Sequence, residues 1–105
     1  MSRRVVQVSP QADRDIDQSL ATMERHHIED AMRLLDAIER DAVHLAAMHG
    51  TGRRLETKNP AFADVRSWHV IGYENWLLFY RPTDRGIQIL RLLQRPRDPS
   101  APGEL

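Results

Sequence analysis

Between Trp68 and Asp98 the chain makes three apolar runs in quick succession, and few folds accommodate that pattern. Trp68–Ile71 leads to a turn at Gly72–Asn75, Trp76–Arg81 leads to a second at Pro82–Gly86, and Ile87–Leu93 closes the series. Runs of this length, rich in β-branched and aromatic residues and bounded by Gly- and Pro-bearing turns, are the strands of an antiparallel meander. The second turn has a mechanism at each position: Pro82 pre-sets φ, Asp84 bonds its own backbone, and Gly86 supplies a positive φ. The last two runs are apolar at nearly every position, so both of their faces need cover. In the third run the pleat sends Ile87, Ile89 and Leu93 one way, and Leu90 and Leu92 the other.

The chain upstream supplies cover for one face. Arg4–Val8 is a short strand. Ser9 as N-cap and Pro10 at the first helical position start a helix whose apolar face is Ala12, Ile16, Leu20 and Met23. Asp13, Asp15 and Asp17 read as solvated charges near the positive end of its dipole. A second helical pattern runs Ile28, Ala31, Met32, Leu34, Leu35, Ile38, Ala42, Leu45, and Gly50-Thr51-Gly52 ends it. No glycine or proline separates the two patterns. One helix from Pro10 to His49 would be roughly 60 Å long at 1.5 Å per residue, whereas a domain of this size has a radius of gyration of about 13 Å. A hairpin bent around Arg25-His26-His27 lets both apolar faces reach one sheet.

Residues 53–64 then form a polar connector, and Val65 begins the meander. The order strand, helix, helix, three strands makes an α+β fold, with the helix hairpin on one face of a small, mainly antiparallel sheet. Residues 1–98 form the single domain that 105 residues allow. Pro99 to Leu105 cannot build a core and reads as a flexible tail. There is no cysteine, no apolar run of signal-peptide type at the start, and nothing near the roughly 18 apolar residues of a membrane span. The expectation is a cytoplasmic protein with no membrane partner.

The formal net charge of zero hides an asymmetry. Residues 1–50 carry six Lys/Arg against nine Asp/Glu, and residues 51–105 carry nine against six. Fourteen of the fifteen basic residues are Arg, and Lys58 is the exception. Around the meander sit Arg53, Arg54, Lys58, Arg66, Arg81, Arg91, Arg95 and Arg97. Such a cluster suits a phosphate or an acidic partner, or else its members pair with Glu56, Asp64, Asp84 and Asp98. The second sheet face is either a partner surface or is covered by the connector or the tail.

Catalytic constellations are sparse. No nucleophile elbow, phosphate loop or dinucleotide fingerprint is present. The five histidines lack the spacing of a helical zinc site, so no metal or cofactor is expected. His69 is either a solvent-facing strand residue or an acid–base group beside the arginines.

Val65-Arg66-Ser67-Trp68-His69-Val70, Trp76-Leu77-Leu78-Phe79-Tyr80-Arg81, Ile87 through Asp98, and the opening Val8 to Ile16 together resemble the RelE/ParE superfamily of bacterial type II toxins. The likeness spans residues 5–98 and implies the helix-hairpin-on-sheet fold already read. RelE-like members cut messenger RNA on the ribosome; ParE-like members inhibit DNA gyrase. The segment Leu93-Gln94-Arg95-Pro96-Arg97-Asp98 resembles the ParE side, with Gln94 where the family has histidine and Arg95-Pro96 where it has two small residues. The resemblance therefore implies a ParE-like toxin acting on gyrase and held in a hetero-oligomer by a cognate antitoxin. Arg53, Arg54, Arg81, Arg95 and Arg97 are the expected target contacts, and Trp68, Leu90 and Leu92 the expected antitoxin contacts.

Two alternatives stay open. A ribosome-dependent nuclease would use Lys58, Arg66, Arg81 and His69, and a non-toxic binding module would keep only the partner surface. Chemistry weighs against the nuclease. RNA cleavage needs a base, an acid and cations, and arginine, with a pKa above roughly 12, is a poor proton acceptor. No tyrosine or histidine follows Tyr80.

Overall fold

The computed structural model describes residues 4–25 and 27–95. Strand β1 (Val5–Val8) runs into helix α1 (Pro10–Glu24), and helix α2 (Ile28–Ala47) returns antiparallel. Strands β2 (Arg53–Arg54), β3 (Arg66–Val70), β4 (Tyr73–Pro82) and β5 (Gly86–Gln94) complete a five-stranded sheet of order β1-β5-β4-β3-β2. Among the described residues only β1 and β5 pair in parallel. Helix α1 ends at Glu24 and α2 starts at Ile28, with His27 in an extended backbone as the N-cap of α2. The radius of gyration, 13.9 Å, fits the hairpin and not a single long helix.

Ser9 caps α1 as its position predicts. Its Oγ accepts the Ala12 N–H at 3.0 Å and donates to the Leu90 carbonyl at 2.9 Å, so one hydroxyl starts the helix and ties it to β5. The core lies between the helix pair and one sheet face. Leu34, Ile38 and Leu45 of α2 meet Leu78, Tyr80, Ile87, Ile89 and Leu92 of the two central strands. Each such side chain, fully buried, contributes about 1.5–3 kcal/mol.

Four local features differ from the sequence reading. The sheet has five strands, because Arg53 and Arg54 pair with Ser67 and Arg66. Two adjacent arginines carry no apolar alternation, so only the open edge of β3 specifies that strand. The β3–β4 turn is tight: among the described residues Gly72 alone has positive φ (87°), its N–H is accepted by the Glu74 carboxylate at 2.6 Å, and β4 begins at Tyr73.

Gly86 does not have positive φ. It is glycine because β1 passes so close that a Cβ would strike the Val5 carbonyl oxygen. Finally, Leu92 faces the helices with Ile87 and Ile89, while Leu93 faces away with its partner Leu77. The register against β4 steps from Phe79↔Arg91 to Tyr80↔Ile89, which makes Leu90 the extra residue of a β-bulge. A bulge reverses the pleat beyond it, and an unbroken alternation could not show that.

Candidate functional site

The outward face of the sheet follows from the register. Cross-strand partners point the same way, so Arg53, Ser67, Phe79 and Arg91 form one row across β2, β3, β4 and β5. His69, Leu77 and Leu93 form the next row, and Arg81 with Gln88 a third. The apolar members are not bare. Phe79 is 8% exposed, and Val65, just ahead of β3, is fully buried; neither belongs to the helix-side core.

The arginines have distinct situations. Arg53 and Arg54 stand exposed on the edge strand. Arg53 lies 3.8 Å from Glu56, with both side chains more than four-fifths exposed, a pair worth little. Arg95 and Lys58 are also exposed. Arg97 lies outside the described residues, as do Asp98 and the expected tail. Arg66 turns to the helix side, where its Nη1 donates to the Gly52 carbonyl at 2.7 Å. Arg81 donates through Nη2 to the Ala61 carbonyl at 2.8 Å and lies 3.5 Å from the Asp64 carboxylate. The connector therefore reaches across this face and is held to β4.

Arg91 is neutralised rather than available. Its Nε and Nη2 donate to the two oxygens of Asp15 at 2.7 and 3.1 Å, and Asp15 also accepts the Leu92 N–H at 3.0 Å. Asp15 is thus no solvated helix-start charge. It stands where β1 has ended and closes the edge of β5. The bond to Asp15 raises the Arg91 pKa further above its already high value.

Two polar anchors had no signal in the sequence. Asp41 of α2 is 2% exposed and accepts three bonds: Trp68 Nε1–H at 3.0 Å, the Ile71 N–H at 2.8 Å and Arg40 Nε–H at 3.0 Å. Arg40 also donates to the Ile71 carbonyl at 2.8 Å, so the helix grips the β3–β4 turn from both sides. Tyr80 is the second anchor. Its phenol donates to the His49 carbonyl at 2.8 Å and accepts the Gly52 N–H at 2.9 Å. Burial pushes the Tyr80 pKa up, opposed by the Gly52 bond and by Arg66.

For proton transfer the one exposed group among these is His69, whose Nε2 remains an acceptor when Nδ1 donates. The Tyr80 phenol is enclosed and already donating. His69 is exposed, with Nδ1 2.9 Å from the Glu74 carbonyl; a carbonyl can only accept, so Nδ1 holds the proton. Arg66 and Arg81 are tied to backbone carbonyls. Among the described residues no group of three or more His, Cys, Asp or Glu is placed to hold a metal ion.

The expected antitoxin contacts separate. Leu90 is half-buried at the bulge. Trp68 packs on the helix-side core with its ring 5.9 Å from His44, and Leu92 is 2% exposed inside that core. A different apolar surface is open: a groove of about 530 Å³ between α1, α2 and the edge strand β1. Val8, Ile16, Leu20, Leu35 and Val43 line it. Asp13, Asp17 and Glu39 stand along it.

Comparison with known proteins follows the same lines. The family model described as the ParE toxin of the type II toxin–antitoxin system parDE matches residues 6–99. Among solved structures, a chain of the chromosomal ParDE toxin–antitoxin system from P. aeruginosa superposes with a TM-score of 0.69 at 21% identity. The match covers 87% of this chain and 95% of that one. No curated protein sequence matches significantly.

Proposed function

This chain belongs to the ParE toxin family of type II toxin–antitoxin systems, and from that premise we propose that it inhibits DNA gyrase and is silenced by a cognate antitoxin. Family membership implies the antitoxin; gyrase as target is our inference. The observation that carries it is the outward sheet face, which offers cations and, among the described residues, a single histidine, His69. Arg53 is exposed there and Arg81 lies on the same face; Arg95 is exposed just past β5, at the other end of the β4–β5 ladder from Arg81; Arg54, the partner of Arg66, is exposed toward the helix side; and Arg97 follows Arg95 in sequence. Guanidinium groups bind carboxylates and phosphates strongly. They do not supply the base and acid that RNA cleavage requires. A surface of this kind acts by binding its target and not by cutting it.

The antitoxin takes a second surface. The groove beside β1 is apolar along its length and acidic along its rim, which suits an amphipathic segment carrying Lys or Arg next to its apolar residues. The free edge of β1 adjoins it, as the last strand of the sheet. Leu90 remains on the opposite face as a further contact.

The test is charge reversal at exposed positions. Arg53→Glu combined with Arg95→Glu changes no buried contact, so the fold is expected to survive, as circular dichroism would report. Growth inhibition on expression without antitoxin should be lost. Undiminished toxicity in a folded double variant would remove these residues from the target surface.

A further inference from the structure

Arg81 Nε is a buried side-chain nitrogen with no hydrogen-bond partner. Such groups are uncommon and costly. Its setting explains what would satisfy it. Elsewhere in the same sheet, Arg91 presents Nε and Nη2 together to one carboxylate, at 2.7 and 3.1 Å. Arg81 presents the same two donors, but Nη2 is taken by the Ala61 carbonyl and Nε by nothing. Asp64 stands 3.5 Å from Nη2, beyond a direct hydrogen bond in good geometry. The fork is half filled.

What blocks it is the connector. Glu56 to Asp64 is exposed throughout. Its bonds are largely local: Phe62 N–H to the Asn59 carbonyl at 3.0 Å, Ala61 N–H to the Asn59 Oδ1 at 3.0 Å and Val65 N–H to the Phe62 carbonyl at 3.1 Å, while Leu55 N–H to the Val65 carbonyl at 2.9 Å closes its base. The Arg81 bond to Ala61 ties its middle to β4. A segment with few buried contacts and exposed backbone opens at low free energy.

We propose that Arg81 is a carboxylate-binding site closed by this strap: an acidic side chain of a protein partner occupies Nε and Nη2 as a fork, displaces Ala61 and Asp64, and frees residues 56–64 from the sheet. The ligand gains a bidentate, charge-assisted pair. The strap's release then uncovers the neighbouring sheet surface to the same partner. The inference extends the reading of Arg81 as a target contact, yet its test needs no target, so failure of one is distinguishable from failure of the other.

The probe is an N-acetylated hexaglutamate peptide added to the full chain at low ionic strength, with amide hydrogen exchange followed over residues 55–65. Exchange in the strap should rise severalfold while α2 keeps its protection. Asp64→Asn should show raised strap exchange before any peptide is added. Arg81→Lys keeps the charge but removes Nε; its strap should exchange fast from the outset and ignore the peptide. Unchanged strap exchange in the wild type, or a peptide response in Arg81→Lys equal to that of the wild type, would overturn the proposal. So would equal opening by inorganic phosphate at matched ionic strength, which would show a general anion effect.

Discussion

Asp15 and Arg91 lie 76 positions apart and meet in a two-pronged bond, with Arg91 Nε and Nη2 at 2.7 and 3.1 Å from the Asp15 carboxylate. The same carboxylate accepts the Leu92 N–H, a backbone group that β1 is too short to reach. The pair therefore joins α1 to β5 and finishes the sheet edge. Asp15→Ala should lower stability by about 1.5–3 kcal/mol, the usual worth of hydrogen bonds to charged groups, read as a reduced urea midpoint with an unchanged slope. The raised Arg91 pKa contributes stability present below the unfolded value and lost only as pH rises through the folded one. Both lie in strong alkali, so the loss in Asp15→Ala should be independent of how near neutrality it is measured on the basic side. A loss that vanished at pH 8 would contradict this.

Tyr80 gives the fold an alkaline limit. Burial raises its pKa above the ordinary 10.0, so the unfolded chain ionises first. The Tyr80 contribution is complete below pH 10 and declines as pH climbs through the folded value. Urea midpoints should hold steady up to about pH 9.5 and then fall. Tyr80→Phe should flatten that fall. It should also cost about 1–3 kcal/mol at neutral pH, because the buried Gly52 N–H loses its acceptor. An equally steep alkaline fall in Tyr80→Phe would exclude the phenol as its source.

Gly52 and Gly86 are expected to resist alanine for packing reasons alone. A Cβ on Gly52 would meet the Tyr80 ring, and one on Gly86 would meet the Val5 backbone. Overpacking of this type costs typically about 1–3 kcal/mol. Gly50→Ala, where nothing lies within 4 Å, is the matched control and should be close to neutral in thermal melts.

The two surfaces should separate genetically. Val43, 65% exposed beside the α1–α2 groove, can be changed to Asp without disturbing the core. That variant should escape the co-expressed antitoxin while remaining toxic. Arg53→Glu with Arg95→Glu should do the reverse, losing toxicity but still co-purifying with antitoxin. Loss of both properties in either variant would argue for one shared surface.

The layers of this fold were legible because they rest on local chemistry. Ser9-Pro10 is a helix start wherever it occurs before an apolar stripe, and Trp68 to Leu93 reads as strands from its turns alone. What escaped was set by tertiary contact. The Arg53–Arg54 strand exists because β3 leaves an edge, Leu92 turns inward because Leu90 bulges, and Gly86 is required by a strand that begins 81 residues earlier. Of the site, the exposed arginines could be named from the sequence, but not that Arg91 is cancelled by Asp15 or Arg81 held by the strap. Carboxylates that bond backbone N–H groups, such as Asp15 and Asp41, look like any surface acid in one dimension.

We propose that a non-catalytic basic sheet face acts on gyrase. The most direct test is supercoiling of relaxed plasmid by purified gyrase in the presence of the folded, antitoxin-free protein, with detergent added to trap broken DNA ends. Inhibition accompanied by gyrase-linked breaks is expected, with both absent in the Arg53→Glu, Arg95→Glu variant. Undisturbed supercoiling, together with cleavage of ribosome-bound messenger RNA that depends on Lys58 and His69, would contradict it.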